Sequence, residues 1–514
     1  MRSLRWLRYL NVRPAKGPAK EANYRPVNQT NCSGAAYIPH VDVHVSLVGR
    51  KNLGGEIYRQ LRRAILDGRL RVGDQLPPSR ALAGSLSVSR TTVTVAYDRL
   101  AGEGFVTSRV GAGTFVSRQT ARAAQASTKP PTRGTLRARP FWDVRPVPLL
   151  SDQTPEFDFR AGIPDGELFP YRHWRRLVGR ELRADALRGG VYAHPAGHLG
   201  LRGAIARHIA VSRGVEVTAD MVTMTNGTQQ AIDVVARVLL APRDRVVVED
   251  PGYPPPRRLF ESLGARVIGV PVDNDGLVVD AMPRSARLAY VTPSHQWPLG
   301  MSMSLARRMA LLAWAERNNA AIVEDDYDSE FRFGGRPIEP IQTLDTSGRV
   351  IYIGTFSKTL LPALRLGFIV APPSLCAAVQ QAKSLTDWHT STLVQGALAR
   401  FIEDGWFARH VRKMGRVYRT RHEIVTTVLA RDFGDLLEIV PGWGGLHVTA
   451  LARAASVGQI AAVVHRAAER GIEVLPLSPF AVQAPPRAGL LLGYGAIPTA
   501  RIEPGLRRLR ECFD

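Results

Sequence analysis

The sequence predicts an α/β protein made of two unlike parts, a small helical module ending in a β-hairpin and a larger domain built on a mainly parallel sheet. Three observations predict it. Short helical patterns between Ser46 and Arg118 lead into a compact strand–turn–strand. From Gln119 to Pro155 the chain turns to Ala, Arg, Thr and Pro, the composition of a linker. From Phe157 onward, short β-branched runs alternate with longer amphipathic segments, the pattern of strands covered by helices.

Length and composition bound the rest. A chain of 514 residues exceeds one ordinary domain, and its 45% hydrophobic and 22% charged residues permit a large core. No stretch approaches the roughly 18 to 20 uncharged apolar residues that cross a bilayer, so no membrane association is expected. The net charge of +23 draws the chain towards polyanions such as nucleic acid. Of the 68 basic residues only seven are lysines, so a lysine in an apolar setting stands out. Cys32, Cys376 and Cys512 are far apart and form no C-x-x-C pair. They offer neither a disulfide framework nor a metal site, and fit a reducing cytoplasm. Residues 1–45 are rich in Arg, poor in acids and without a secretory h-region. They read as an unfolded extension or as the product of a start codon placed too early.

In the N-terminal module, Ile57, Leu61, Ala64 and Ile65 recur at helical spacing over Gly55–Asp67, and Gly68 follows as a C-cap. Leu76-Pro-Pro-Ser79 stops the chain and offers Ser79 as N-cap of a short helix carrying Arg80 and Leu82. Ser89 then caps a third helix with the stripe Val93, Ala96, Tyr97 and Leu100, which leaves Arg90, Thr91 and Thr94 off that stripe. A second helix with basic and hydroxyl residues in its first turn meets the needs of helix-turn-helix docking. Phe105–Arg109, the tip Val110-Gly-Ala-Gly113 and Thr114-Phe-Val read as a hairpin whose Arg109 and bare Gly111 suit close approach to a DNA backbone. Any single Arg is more often a solvated charge than a contact; the assembled pattern is not.

The run Leu76-Pro-Pro-Ser-Arg-Ala-Leu-Ala, Val88-Ser-Arg-Thr-Thr-Val, Ala96-Tyr-Asp-Arg-Leu-Ala-Gly-Glu-Gly104-Phe and Gly111-Ala-Gly-Thr-Phe resembles the GntR family of winged-helix regulators across the whole module. The resemblance implies binding to a double-stranded DNA operator. The candidate contacts are Ser79, Arg80, Ser89, Arg90, Thr91, Thr92, Arg109 and Gly111.

In the larger domain, Val350-Ile-Tyr-Ile-Gly-Thr-Phe-Ser-Lys358 is a strand that delivers a lysine after Thr355 and Ser357, with Arg365 seven residues on. A lysine reacts with an aldehyde only when unprotonated, which calls for a partly dry site near other cations. Arg365, Thr355 and Ser357 are suited to hold a phosphate. Gly227 and Thr228 open a helix and can turn backbone N–H groups to the same anion. Tyr253, just past Asp250-Pro-Gly, is placed to stack on a planar ring. Ile322-Val-Glu-Asp-Asp-Tyr327 puts carboxylates past another strand, where one can keep a pyridine nitrogen protonated. Val291-Thr-Pro-Ser-His-Gln296 ends a third strand, and ligands of open α/β sheets sit outside such ends.

These pieces in this order resemble the PLP-dependent fold-type I aminotransferases from about Phe157 to the C-terminus. The resemblance implies pyridoxal 5'-phosphate (PLP) as cofactor, joined as a Schiff base to Lys358. It gives Asp325 to the pyridine nitrogen, with Asp326 as the alternative. Tyr327 is given to the ring phenol oxygen and Tyr253 to ring stacking. Gly227, Thr228, Thr355, Ser357 and Arg365 are given to the phosphate, which Tyr192 reaches across a dimer interface. With Thr292-Pro-Ser-His-Gln-Trp-Pro-Leu-Gly and Glu324-Asp-Asp-Tyr-Asp-Ser-Glu-Phe, the whole resembles the MocR/GabR branch of GntR regulators. That branch is cytoplasmic and forms head-to-tail homodimers. The expected divisions are an extension (1–45), a winged helix-turn-helix domain (46–118), a linker (119–155) and an aminotransferase-like effector domain (156–514).

One departure bears on function. Aminotransferases of this fold carry an Arg ahead of a motif like Gly493-Tyr-Gly to clamp the substrate carboxylate, and Leu491 stands about there, with Arg487 nearby. The departure favours sensing of a small amine, an amino acid or PLP itself over turnover. The alternative is an active aminotransferase with an accessory DNA-binding domain.

Overall fold

The computed structural model describes residues 45, 47, 52–109, 111–117, 137–142, 155–183, 191–334, 339–442 and 444–514. The expected extension apart from Val45, and the expected linker apart from 137–142 and Pro155, lie outside the described residues. Two compact units divide the chain, Met1–Trp142 and Asp143–Asp514.

The first unit holds helices α1 (Leu53–Leu66), α2 (Ser79–Ser85) and α3 (Arg90–Gly102), then a hairpin of β1 (Val106–Arg109) and β2 (Gly113–Val116). The apolar stripes of α1 and α3 meet in one core, where Ile57, Leu61, Val93 and Leu100 pack with Leu76, Leu82 and Val106. Ser89 caps α3, its Oγ accepting from the Thr92 N–H at 3.1 Å. At α2 the expectation of a Ser79 cap fails. Pro78 holds the cap position in an extended conformation and Ser79 is the first helical residue, so its hydroxyl is free to meet Arg90. Leu100 is wholly buried where α1 and α3 cross. Leu100→Ala is expected to destabilise this unit by about 3 kcal/mol, from lost burial plus the cavity left behind. Calorimetry on the full chain checks it, and an unshifted first transition would count against this packing.

The second unit is an eight-stranded sheet in the order β4-β11-β10-β9-β8-β5-β6-β7. Strands β5 (Arg245–Asp250), β6 (Arg266–Asp273), β8 (Leu288–Val291), β9 (Ala321–Asp326) and β10 (Val350–Thr355) are mutually parallel. β11 (Gly367–Val370) runs antiparallel between β10 and β4 (Val222–Thr225), and the two-residue β7 (Gly276–Leu277) edges β6. Successive strand residues face opposite sides, and both sides are covered. Val246 and Val248 cluster with Ile232 and Val235 of the helix Thr228–Leu239, while Val247 clusters with Leu311 and Trp314 of the helix Leu305–Arg317. The outcome is the mainly parallel sheet that the alternating segments predict. β3 (Phe157–Asp158) pairs with β14 (Ile472–Glu473), and β12 (Leu437–Ile439), β13 (His447–Ala452), β16 (Gly489–Gly493) and β15 (Leu475–Pro476) form an antiparallel sheet in that order. The carboxyl ends of β4, β5, β8, β9 and β10 open on one edge of the large sheet. There the chemistry-bearing residues gather.

Candidate functional site

On the first unit, Arg80, Ser89, Arg90, Thr91, Arg109 and Gly111 are exposed, and Ser79 and Thr92 are half-buried. Arg90 Nε donates to Ser79 Oγ at 3.4 Å, linking the starts of α2 and α3. The hydroxyls of Ser89 and Thr92 lie 2.7 Å apart and serve the cap, so Arg90 and Thr91 are the outward-facing side chains of the first turn. In the hairpin the Arg109 guanidinium lies over the Phe115 ring at 5.3 Å. Gln75, a residue the sequence did not single out, steadies the tip by donating to the Ala112 carbonyl at 2.7 Å. Val110 lies outside the described residues.

On the second unit, a cavity of about 250 Å³ is lined by Thr228, Tyr253, Asp325, Tyr327, Thr355, Ser357, Lys358 and Arg365. These are eight of the ten residues that the sequence proposes for it. A ninth, Gly227, precedes the lining residue Thr228 and packs against Arg365. At φ 79° it caps the helix Thr228–Leu239, and a Cβ there would sit 2.8 Å from an Arg365 Nη, so glycine alone lets the guanidinium close on the helix N-terminus. Arg365 Nη2 donates to the Asn226 carbonyl at 2.8 Å. Asn226 and Gln230 in turn donate to Asp387 Oδ2 at 2.8 and 2.7 Å, anchoring that end of the helix. The Thr355 hydroxyl bridges to Ser357, 3.1 Å from both its N and its Oγ. Helix N-terminus, hydroxyls and guanidinium together make an anion cradle. Tyr192, the tenth, is not brought to the cavity. It is 76% exposed and stacks on Trp388 with ring centroids 4.7 Å apart.

Lys358 Nζ donates to the Gly162 carbonyl at 2.6 Å. Burial pushes its pKa below the ordinary lysine value, against the pull of Asp328 and Asp325, which favours the neutral, nucleophilic amine. The two neighbouring aspartates part company because β9 alternates. Asp325 faces the cavity. Its Oδ2 accepts from the Tyr290 hydroxyl at 2.6 Å, its Oδ1 is buried without a partner, and burial lifts its pKa to about 7. Asp326 faces the other side, where Arg213 Nε at 3.1 Å and the Tyr352 hydroxyl at 2.5 Å outweigh burial and hold its pKa below the usual range. Tyr253 packs edge-on to Trp297 across the cavity wall, 5.8 Å between centroids, and burial pushes its phenol up to about 12. The Tyr327 hydroxyl donates to the His295 carbonyl at 2.7 Å. Leu491 is fully buried and clusters with Trp297, Tyr327, Leu477 and Phe480, and Arg487 is exposed. Among the described residues, Lys358 and Arg365 are the cationic side chains that line the cavity.

Sequence reasoning missed Ala161, Gln229, Thr292, Trp297 and Pro362 in the lining, Gly162 on the lysine and Tyr290 behind Asp325. Thr292 and Trp297 belong to the run Thr292-Pro-Ser-His-Gln-Trp-Pro-Leu-Gly, but nothing in the sequence aims them at the cavity. Gly162 is 196 residues from Lys358, a pairing that only the fold makes.

A recognition helix with a buttressed hairpin, in one chain with an amine-bearing cavity at the carboxyl ends of a parallel sheet, defines a composite protein: a DNA-binding domain joined to an aminotransferase-type domain. Residues 53–116 match the bacterial regulatory proteins of the gntR family, and residues 157–492 match aminotransferase class I and II. The chain is 40% identical to the probable rhizopine catabolism regulatory protein MocR of Rhizobium meliloti over 89% of this chain and 93% of that one. It is 33% identical to the pyridoxine biosynthesis regulator PdxR of Corynebacterium glutamicum over 86% and 91%. Among solved structures, an archaeal alanine:glyoxylate aminotransferase is similar at a TM-score of 0.66 and 28% identity, covering 70% of this chain and 90% of that one. A Pyrococcus horikoshii kynurenine aminotransferase in complex with PMP reaches 0.65 and 26%, covering 70% and 91%. The chain belongs to the MocR type of GntR-family helix-turn-helix transcription regulators, which carry an aminotransferase-like domain. Among the described residues no helix is long and apolar enough to cross a membrane.

Proposed function

We propose that this regulator binds PLP at Lys358 and reads a small amine, an amino acid or the cofactor itself, passing the result to an operator-bound, head-to-tail homodimer. The observation that carries the reading is the cavity itself, where a partly dry amine, an unpartnered buried carboxylate oxygen and an anion cradle converge. The residues present fit the cofactor. Asp325 Oδ1 lacks the donor that a protonated ring nitrogen would bring, and Thr228, Thr355, Ser357 and Arg365 would hold a phosphate. When bound, the cofactor supplies an aldehyde that exchanges amines and a ring that withdraws electrons.

The chain's own groups do the rest. Burial keeps the Lys358 amine reactive, Tyr253 and Trp297 form one aromatic side of the cavity, and Tyr290 orients Asp325. An effector that binds one arrangement of the protein better than another shifts the population, and only that difference reaches the DNA-binding domain. Leu491 favours sensing over turnover, because a buried apolar side chain stands where the resemblance puts the carboxylate clamp.

The test is a footprint of the full-length protein on the DNA upstream of its gene, with and without PLP. A defined protected site whose strength or extent changes with PLP supports the reading. No site-specific protection in either condition favours the enzyme alternative. In the same assay Arg90→Ala is expected to weaken operator binding by about 1–3 kcal/mol with the fold intact. Unchanged affinity would remove Arg90 from the contacts.

A further inference from the structure

Behind the Trp297–Tyr327 wall lies a second, separate group of titratable side chains that the cofactor chemistry does not use. His295, Asp328 and His447 are buried, and one ligand-type atom from each lies within 4.8 Å of those from the other two. The sequence gives no hint of them as a set, since they fall 33 and 119 residues apart on the segment after β8, the segment after β9 and the strand β13.

Their hydrogen bonds fix which ring nitrogens carry protons. His295 Nδ1 lies 3.1 Å from both oxygens of Asp328, so it donates, and Nε2 is left with a bare lone pair. His447 Nε2 lies 3.0 Å from the Pro298 carbonyl, so it donates there, and Nδ1 is left bare. Both bare nitrogens are buried without a partner. A histidine that gives one N–H to a carboxylate or carbonyl and aims its other nitrogen into a cavity has the outer-shell arrangement of a metal ligand. Both histidines line one cavity of about 110 Å³, room for an ion with water beside it. His422 lines the same cavity, and its Nδ1 is likewise buried without a partner. The bare nitrogens of His295 and His447 are acceptors, which suits a cation and no anion. Asp328 adds the negative charge that a divalent ion needs close by. The packing is specific too. Gly445, at φ 77°, runs over the ring so closely that a Cβ would fall 2.1 Å from His295 Cε1.

We infer that His295 and His447, with Asp328 as orienting carboxylate, form a binding site for one divalent transition-metal ion of the zinc type. The imidazole and carboxylate donors match that class, and the buried setting disfavours the water-rich shell of magnesium. Because the Tyr327 hydroxyl is held by the His295 carbonyl at 2.7 Å, an ion here would stiffen the wall of the Lys358 cavity.

The experiment uses the full-length protein, stripped by a chelator and dialysed against zinc or cobalt(II) sulfate. One equivalent per chain is expected, with cobalt giving visible ligand-field bands and no near-ultraviolet thiolate band from Cys376 or Cys512. The double variant His295→Gln/His447→Gln should lose stoichiometric uptake while keeping its circular dichroism, and Asp328→Asn should weaken binding roughly 10- to 100-fold. Wild-type protein that takes up no stoichiometric metal overturns the proposal without any variant. So does a thiolate spectrum, or uptake that survives in the double variant. None of these outcomes depends on PLP or DNA binding, so the site fails or stands apart from the regulator reading.

Discussion

Lys358→Ala is expected to abolish covalent attachment of PLP outright. Borohydride treatment of the loaded wild-type protein should fix the cofactor on the peptide that contains Lys358, and the variant should yield no such adduct. The other lysine described in a buried setting, Lys383, is engaged by Asp387, so among the described residues no second buried amine is free to substitute. Weaker non-covalent binding should persist, because the phosphate cradle proposed for Gly227, Thr228, Thr355 and Arg365 stays intact. The pH dependence has a definite sign. Burial depresses the Lys358 pKa below 10.5, so the rate of attachment should reach half its maximum below that pH. A half-maximum at or above 10.5, or an adduct on another peptide, would remove Lys358 from its assigned role.

What the sequence disclosed follows from how local each signal is. The third helix was legible because a serine cap, an apolar stripe and two off-stripe residues fall within one short run. Lys358, Thr355 and Ser357 were legible for the same reason, as the end of one β-branched strand. The error at α2 was also local: Ser79 and Pro78 both serve as starts, and the proline's fixed φ took the cap. The choice between Asp325 and Asp326 was not local at all. β9 is buried on both faces, so its Ile-Val-Glu-Asp-Asp run carries no in-out pattern. What separates the two carboxylates is Tyr290 on one face and Arg213 on the other, 35 and 113 residues away. Tyr192 marks another boundary. Its expected partner belongs to a second copy of the chain, and in one chain it rests on Trp388.

That separation yields the second large prediction, a pair of isosteric substitutions with opposite effects. Asp326→Asn should cost about 3–5 kcal/mol of stability at pH 7, because it removes the carboxylate that compensates the buried Arg213 and leaves Glu330 at 3.6 Å as its remaining ion pair. Since the folded pKa of Asp326 is lowered, its contribution is present above the unfolded carboxylate range and fades as pH falls through the folded value, so the deficit should shrink in acid. Asp325 has the reverse sign. Burial raises its folded pKa from 3.8 to about 7, so in the cofactor-free chain it is a cost that is absent in acid and grows as pH rises towards 7. Asp325→Asn should therefore raise the melting temperature of the cofactor-free protein at pH 8, yet weaken PLP binding by roughly 10- to 100-fold, about 1.4 to 2.8 kcal/mol. Glu249, Glu324 and Glu330 are lifted by burial to about 7 as well, so the variant must be compared with wild type at each pH rather than read from one curve. Melting curves against pH and a PLP titration on both variants decide it. If Asp326→Asn lost the cofactor and Asp325→Asn kept it, the two carboxylates would have to exchange roles.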